Sequence, residues 1–273
     1  MMASDEYTMR ALVERGESLA ALGWRIIDAH AHLGPTGTFL IPTPDAASMV
    51  AMMDRLGIDR TLLASHLAIS CDFARGNDLT AAAVRAYPDR LYGYVVVNAR
   101  YPEEVEGELR RGLDQLGLQG IKLHPNFQGY CVDDPALASV WRCAEERGIP
   151  VLVHTWDRDP NCRPSFFAPL AEAHPTVPFI LGHSGGTPTG VREAVAVARE
   201  HPNIYLDICG SLLTSNELEW MVAEVGAERV LFATDVPWLD PRFELGRLAY
   251  ARLSVEEQRL ILGENIARLL GWG

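Results

Sequence analysis

Two histidines in the segment Asp28-Ala29-His30-Ala31-His32 stand two residues apart, and on an extended strand such side chains point to the same side. Together they can present two neutral ring nitrogens to one ion, at about 2.0 to 2.1 Å for zinc. Alone, the pair also fits two histidines in a solvated loop. Joined by His154 and Asp235, each at the end of a predicted strand, it becomes three nitrogens and one carboxylate. That donor set suits a catalytic zinc-type site with one position left for water. A divalent ion held there lowers the pKa of bound water from about 15.7 to about 7 and polarises a substrate carbonyl. His183 suits proton transfer beside it because imidazole titrates near neutrality, a fifth ligand being its competing use.

A second signal is compositional. Of the 24 basic residues 23 are arginine, and the single lysine is Lys122. A compact, deprotonatable amine is what a guanidinium cannot imitate, so this position asks for an ammonium or a modifiable amine. Lys122 and His124 are again two apart, so both face the same side of their strand. Asn98, His66, Asp207, Trp156, Trp238 and Arg163 are candidates for the walls of a substrate pocket, with capping and packing as their ordinary alternatives.

These residues need a scaffold that gathers strand ends. Strands are predicted at 25–29, 59–65, 90–98, 120–124, 150–154, 178–183, 203–208 and 229–235, separated by helical periodicity. The helices close at Tyr87-Pro88, His174-Pro175 and His201-Pro202, where proline ends the helix and pushes the preceding residue out of the helical region. Eight repeats of this size predict an α/β protein, a single-domain (β/α)8 TIM barrel over residues 1–273, whose chemistry gathers where strands pass into the following loops. An open doubly wound sheet would want a Gly-x-Gly-x-x-Gly turn after the first strand, where this chain has AHAHLG. A helix is predicted over 4–22 with Gly23 as its stop, making 1–23 an N-terminal helical extension, and a further helix closes the chain. Six of the eight histidines fall at strand ends, while His174 and His201 lie in turns on the opposite side, where a helix C-terminus accounts for them.

The 273 residues carry 48% hydrophobic and 22% charged positions, as a globular protein does. A net charge of -12 opposes binding to nucleic acid or anionic membranes. No apolar run reaches the ~18 residues of a spanning helix, and MMASDEYTMR lacks the pattern of a secretory signal, so a cytoplasmic protein is expected. Its five scattered cysteines contain no Cys-x-x-Cys pair and read as reduced thiols.

The segments DAHAHLG (28–34), GIKLHP (120–125), VLVHT (151–155), ILGHSGG (180–186), LFATDVPW (231–238) and ILGENIARLLG (261–271) resemble the amidohydrolase superfamily of metal-dependent barrels. The similarity is to the amidohydrolase-2 branch, which includes aminocarboxymuconate-semialdehyde and resorcylate-type decarboxylases. It implies His30, His32, His154 and Asp235 as metal ligands, with His183 and Asp235 as the catalytic groups. In other branches a fourth-strand lysine is carbamylated and bridges two metals, so Lys122 is a candidate for that role, or for an ammonium that binds a substrate carboxylate. The decarboxylases tend to be longer, and some carry a carboxylate where this chain has His30.

The leading expectation is therefore a hydrolase with one divalent ion, Zn2+ first, that turns an activated water on a small polar amide, ester or lactone. Non-oxidative decarboxylation by the same ligands is the alternative, and a catalytically silent metabolite-binding barrel the third reading. Lys122, His124, Asn98, His66 and Trp238 are the expected substrate contacts, and a homo-oligomer is compatible with the sequence.

Overall fold

Short apolar runs rich in Val, Ile and Leu, each preceded by a proline or glycine that ends the previous helix, become the strands of one parallel sheet. The computed structural model describes residues 8–273. Its strands are β1 (Ile27–Leu33), β2 (Arg60–Ser65), β3 (Leu91–Val96), β4 (Gly120–Leu123), β5 (Val151–His154), β6 (Phe179–Gly182), β7 (Ile204–Asp207) and β8 (Val230–Leu231). All are parallel and neighbours in chain order, and helices cover the outside, so the fold is a (β/α)8 TIM barrel.

The eighth strand is much shorter than the sequence predicts. Only Val230–Leu231 is regular: Phe232 N–H leaves the sheet for Ile261 O at 2.9 Å, Thr234 N–H donates to Asp28 Oδ1 at 3.0 Å and Val236 N–H to Thr234 Oγ1 at 3.1 Å. The barrel is closed instead through Ala29 N–H to Phe232 O (3.0 Å), Asp235 N–H to His30 O (2.8 Å) and His32 N–H to Val236 O (2.7 Å). Asp235 therefore lies beyond the strand, in a left-handed conformation with φ 60°.

Strand alternation separates two apolar layers. Ile27, Ala29, Leu62, Ala64, Val96, Leu152, Ile180 and Leu231 fill the barrel, while Val95, Ile121, Leu123, Val153, Phe179 and Leu181 pack against the helices. Each Val, Leu, Ile or Phe among them contributes about 1.5 to 3 kcal/mol on full burial. In β1 the parity changes: Ile27 and Ala29 belong to the inner layer, Ala31 and Leu33 to the outer. The change coincides with a register shift against β2 between Asp28 and Ala31, a bulge of the kind that re-aims side chains beside active sites. Lys122 and His124, by contrast, keep simple alternation with the outward Ile121 and Leu123.

The predicted N-terminal helix is two pieces. Met9–Arg15 is helical and ends at Gly16 with φ 66°, and a 3-10 turn, Leu19–Leu22, ends at Gly23. Residues 4–7 of that prediction lie outside the described residues. At the other end of the chain Asn265, on the helix Asn265–Leu269, donates to Ala227 O (2.7 Å) and Val230 O (2.9 Å), fastening this segment to β8. Among the described residues no helix is long and apolar enough to cross a membrane.

Candidate metal centre

His30 and His32 are buried, and each has one ring nitrogen committed to a protein acceptor. His30 Nδ1 donates to Asp207 Oδ2 at 2.8 Å, and His32 Nδ1 to Ala64 O at 3.2 Å. Those bonds fix the tautomer and leave both Nε2 atoms unprotonated, the arrangement that orients metal-binding histidines. Both converge on Asp235 Oδ1, at 3.7 Å from His30 and 3.3 Å from His32. These approaches are not ion pairs, since burial holds both imidazoles well below their ordinary pKa and therefore neutral. Asp235 Oδ1 is buried and accepts no hydrogen bond. Three unprotonated donors facing one another, one of them an orphaned carboxylate oxygen, fit a divalent cation. The cation they meet within the protein is the buried Lys122 ammonium, whose Nζ lies 2.7 Å from His30 Nε2 and whose pKa burial lowers to about 8.

His154 stands beside this trio and not within it: no four-residue cluster of close donors includes it among the described residues. Its ring stacks on His124 (4.1 Å between centroids) and meets His183 edge-on at 4.8 Å, with Nδ1 buried and unpartnered. His183 follows β6 with φ 62°, its backbone N–H held by Asp207 Oδ1 at 2.7 Å, and burial lowers its pKa to about 4. Ser184 is also in the left-handed region, so three non-glycine residues with positive φ, His183, Ser184 and Asp235, all sit at this centre. Such conformations persist only where the surroundings impose them, and they cluster at functional sites.

Aromatic rings form one wall. His66 donates from Nδ1 to Gly34 O (2.5 Å) and stacks on Trp238 at 4.7 Å, while Trp238 also packs on His32 at 4.9 Å and Phe39 at 5.7 Å. Phe127 adds an edge to Trp238 at 6.0 Å and lies flat on His124 at 4.1 Å. Burial lowers the pKa of His66 to about 3, which keeps this wall uncharged. A cavity of about 510 Å³ opens along it, lined by Thr36, Thr38, His66, Ser70, Phe127 and Trp238 among others.

Other predicted pocket residues serve the framework. Asn98 lies in the turn after β3 and its Oδ1 accepts Arg100 N–H at 3.0 Å, while His124 Nδ1 accepts Phe127 N–H at 3.4 Å at the start of a short helix. Arg163 pairs with Glu193 at 3.2 Å. The Ser184-Gly185-Gly186 run fits the protein's own packing: a Cβ at Gly186, where φ is 75°, would lie 2.2 Å from the Trp156 ring. Sequence reasoning missed two supporting carboxyls. Asp28 accepts from His30 N (3.1 Å), Thr234 N (3.0 Å) and Thr234 Oγ1 (2.5 Å), and so ties β1 to the Asp235 loop. Asp207, expected only as a pocket wall, holds both His30 and His183. Burial pushes both carboxyls up to about 7. The missed signal was the pairing of a buried aspartate with a histidine on another strand, which strand order alone does not reveal.

The family model described as Amidohydrolase matches residues 27–272. The chain belongs to the amidohydrolase family, in its amidohydrolase-2 branch. The chain is 26% identical over 243 residues to the 2-amino-3-carboxymuconate-6-semialdehyde decarboxylase of Dictyostelium discoideum, an alignment covering 71% of the chain and 65% of that protein. It is 25% identical over 250 residues to the gamma-resorcylate decarboxylase of Rhodococcus jostii, covering 72% of the chain and 75% of the relative. Among solved structures, a 2,6-dihydroxybenzoate decarboxylase from Rhizobium superposes with a TM-score of 0.75 at 18% identity, covering 91% of this chain and 99% of that one. A 5-carboxyvanillate decarboxylase from Novosphingobium aromaticivorans, complexed with manganese and 4-hydroxy-3-methoxy-5-nitrobenzoic acid, gives 0.75 at 17% identity, covering 94% and 98%. The chain is thus an enzyme of a metal-dependent family. The relatives' names favour decarboxylation over the hydrolysis that led the sequence reading.

Proposed function

We propose that this protein is a metal-dependent, non-oxidative decarboxylase of a small, planar carboxylate of the hydroxylated aromatic kind. The observation that carries the reading is the aromatic, uncharged wall of His66, Trp238 and Phe127 beside the proton-free donors of His30, His32 and Asp235. A planar ring stacks on such a wall at low entropic cost, which places its carboxylate at the donor set. Relatives named as decarboxylases of resorcylate and of a carboxymuconate semialdehyde support this choice.

In this reading His30, His32 and Asp235 hold one divalent ion with His154 as a fourth ligand. Zinc remains the first choice on donor type, with manganese, present in one neighbour, the main competitor. When bound, the ion supplies charge stabilisation to the substrate's oxygens. The chain's own groups do the rest. Lys122 neutralises the carboxylate from the barrel floor as an ammonium, in preference to a carbamate bridging a second metal. Loss of carbon dioxide requires a proton at the carbon as the carbon–carbon bond breaks, so that carboxylate plus proton becomes the hydrogen-bearing product plus CO2. His183, beside the donor set, is the group this reading assigns to that proton, with Asp235 as the second candidate.

The test is release of labelled carbon dioxide from carboxyl-labelled hydroxybenzoates by metal-loaded protein, with ester, amide and lactone hydrolysis measured alongside. Label release that a chelator abolishes and metal restores is the expected result. Hydrolysis of the neutral compounds without label release would return the assignment to a hydrolase.

A further inference from the structure

Cys209 lies two residues beyond the end of β7, is 2% exposed, and touches three groups of the centre. Its Sγ is 3.2 Å from Asp207 Oδ1, 3.1 Å from His183 Nδ1 and 3.4 Å from His30 Nδ1. Counting protons assigns the direction of each bond. His30 Nδ1–H already donates to Asp207 Oδ2 at 2.8 Å. The thiol has one proton, and Asp207 Oδ1, which also receives the His183 backbone N–H, is the acceptor suited to it. With that proton committed, the sulfur can only accept from His183. Cys209 Sγ is the side-chain partner of His183 Nδ1, and the backbone of the same residue also acts on the ring, in the direction that favours its protonated form.

We propose that Cys209 is a positioning residue: its sulfur accepts His183 Nδ1–H and so holds this imidazole in the tautomer whose Nε2 is free to take and return a proton. The chain Asp207, Cys209, His183 does for the proton-transfer histidine what Asp207 alone does for His30. A thiol is a weak acceptor, so its effect is on the choice of tautomer more than on binding strength. The Asp207 bond to the His183 backbone N–H fixes where this residue leaves the strand, at φ 62°. A metal shared by His30, His183 and Cys209 is disfavoured by the same protons, since His30 Nδ1 and the thiol both donate to Asp207.

The inference rests on the reading of His183 as the proton-transfer group, and its test includes a readout that needs no substrate. In zinc-loaded protein carrying 15N-labelled histidine, with the His183 signals assigned by their loss in His183→Asn, the ring shifts report the tautomer. Wild type and Cys209→Ser should show Nδ1–H, whereas Cys209→Val should move the population toward Nε2–H. On a carboxylated phenol that turns over, Cys209→Val should lose at least about tenfold in kcat, in the range of an impaired general acid or base. Its KM and metal content should stay near wild type, and Cys209→Ser should keep most of the rate. If the valine variant does not fold, Cys209→Ala replaces it. An unchanged His183 tautomer in the valine or alanine variant would overturn the inference, as would a serine variant impaired as much as valine, which marks a packing role. A tautomer shift in a protein that releases no carbon dioxide would leave Cys209 as assigned and discard the decarboxylase reading alone.

Discussion

Replacing Asp207 with asparagine isolates the most consequential bond of the centre. Asp207 is wholly buried and accepts three hydrogen bonds, from His30 Nδ1 (2.8 Å), His183 N (2.7 Å) and Cys209 Sγ (3.2 Å). Asparagine has one acceptor oxygen. If it keeps the His183 N–H, its amide group faces His30 Nδ1, and two donors cannot share that space. His30 then relieves the clash by moving its proton to Nε2, the atom meant for the metal. Loss of such an outer partner typically weakens metal binding 10- to 100-fold, or about 1.4 to 2.7 kcal/mol. Fold stability should change less. The lost charge-assisted bonds, each about 1.5 to 3 kcal/mol, are offset by no longer burying a carboxylate whose pKa burial lifts to about 7. Competition against a chromophoric chelator gives the affinity, and thermal unfolding of the apoprotein gives the control. A variant that folds and binds metal within about twofold of wild type would refute the claim that Asp207 sets the His30 tautomer.

Three further outcomes are expected. His183→Asn should retain the metal while kcat falls about 10²- to 10⁴-fold, and loss of the metal from a folded variant would make His183 a ligand. Glu244 is buried with neither carboxylate oxygen hydrogen-bonded, Arg247 Nη1 stopping 3.8 Å away, and burial raises its pKa from 4.5 to about 8. The folded state therefore binds the extra proton between those values and wild-type stability falls as pH rises across them, so the Tm of Glu244→Gln relative to wild type should climb by several degrees from about pH 5 to about pH 8; a difference independent of pH would contradict this. Gly186→Ala, which drives a Cβ into the Trp156 ring at positive φ, should lower stability by about 2 to 4 kcal/mol, and an unchanged Tm would show that the turn can yield.

The barrel was legible because its signals are local. Proline after Tyr87, His174 and His201 marks helix ends in the structure as it does in the sequence, and the apolar runs between supply parallel strands. The meeting of His30, His32 and Asp235 at one end of the barrel follows from their order along the chain near strand ends, a linear property. What failed was non-local or depended on a single backbone choice. The N-terminal helix breaks at Gly16, which periodicity alone passes over. The eighth strand stops early: Phe232 N–H turns to Ile261 O, and Asp28, more than two hundred residues away in the chain, captures the Thr234 N–H. His30 reaches its place through a bulge that strict alternation does not foresee. The roles of Asp207 and Cys209 come from β7 lying beside the β6 end, where His183 turns inward, and no spacing in the sequence encodes that contact.

The account's central claim is that the strand-end donors hold one catalytic divalent ion, and anomalous diffraction from crystals of the metal-loaded protein tests it most directly. The predicted map has one peak bonded to His30 Nε2, His32 Nε2, a ring nitrogen of His154 and a carboxylate oxygen of Asp235, with Lys122 Nζ moved away from His30 and free to meet a carboxylate. A map without a peak at these donors from protein that is fully active, or one with the ion held at another set of residues, would contradict it.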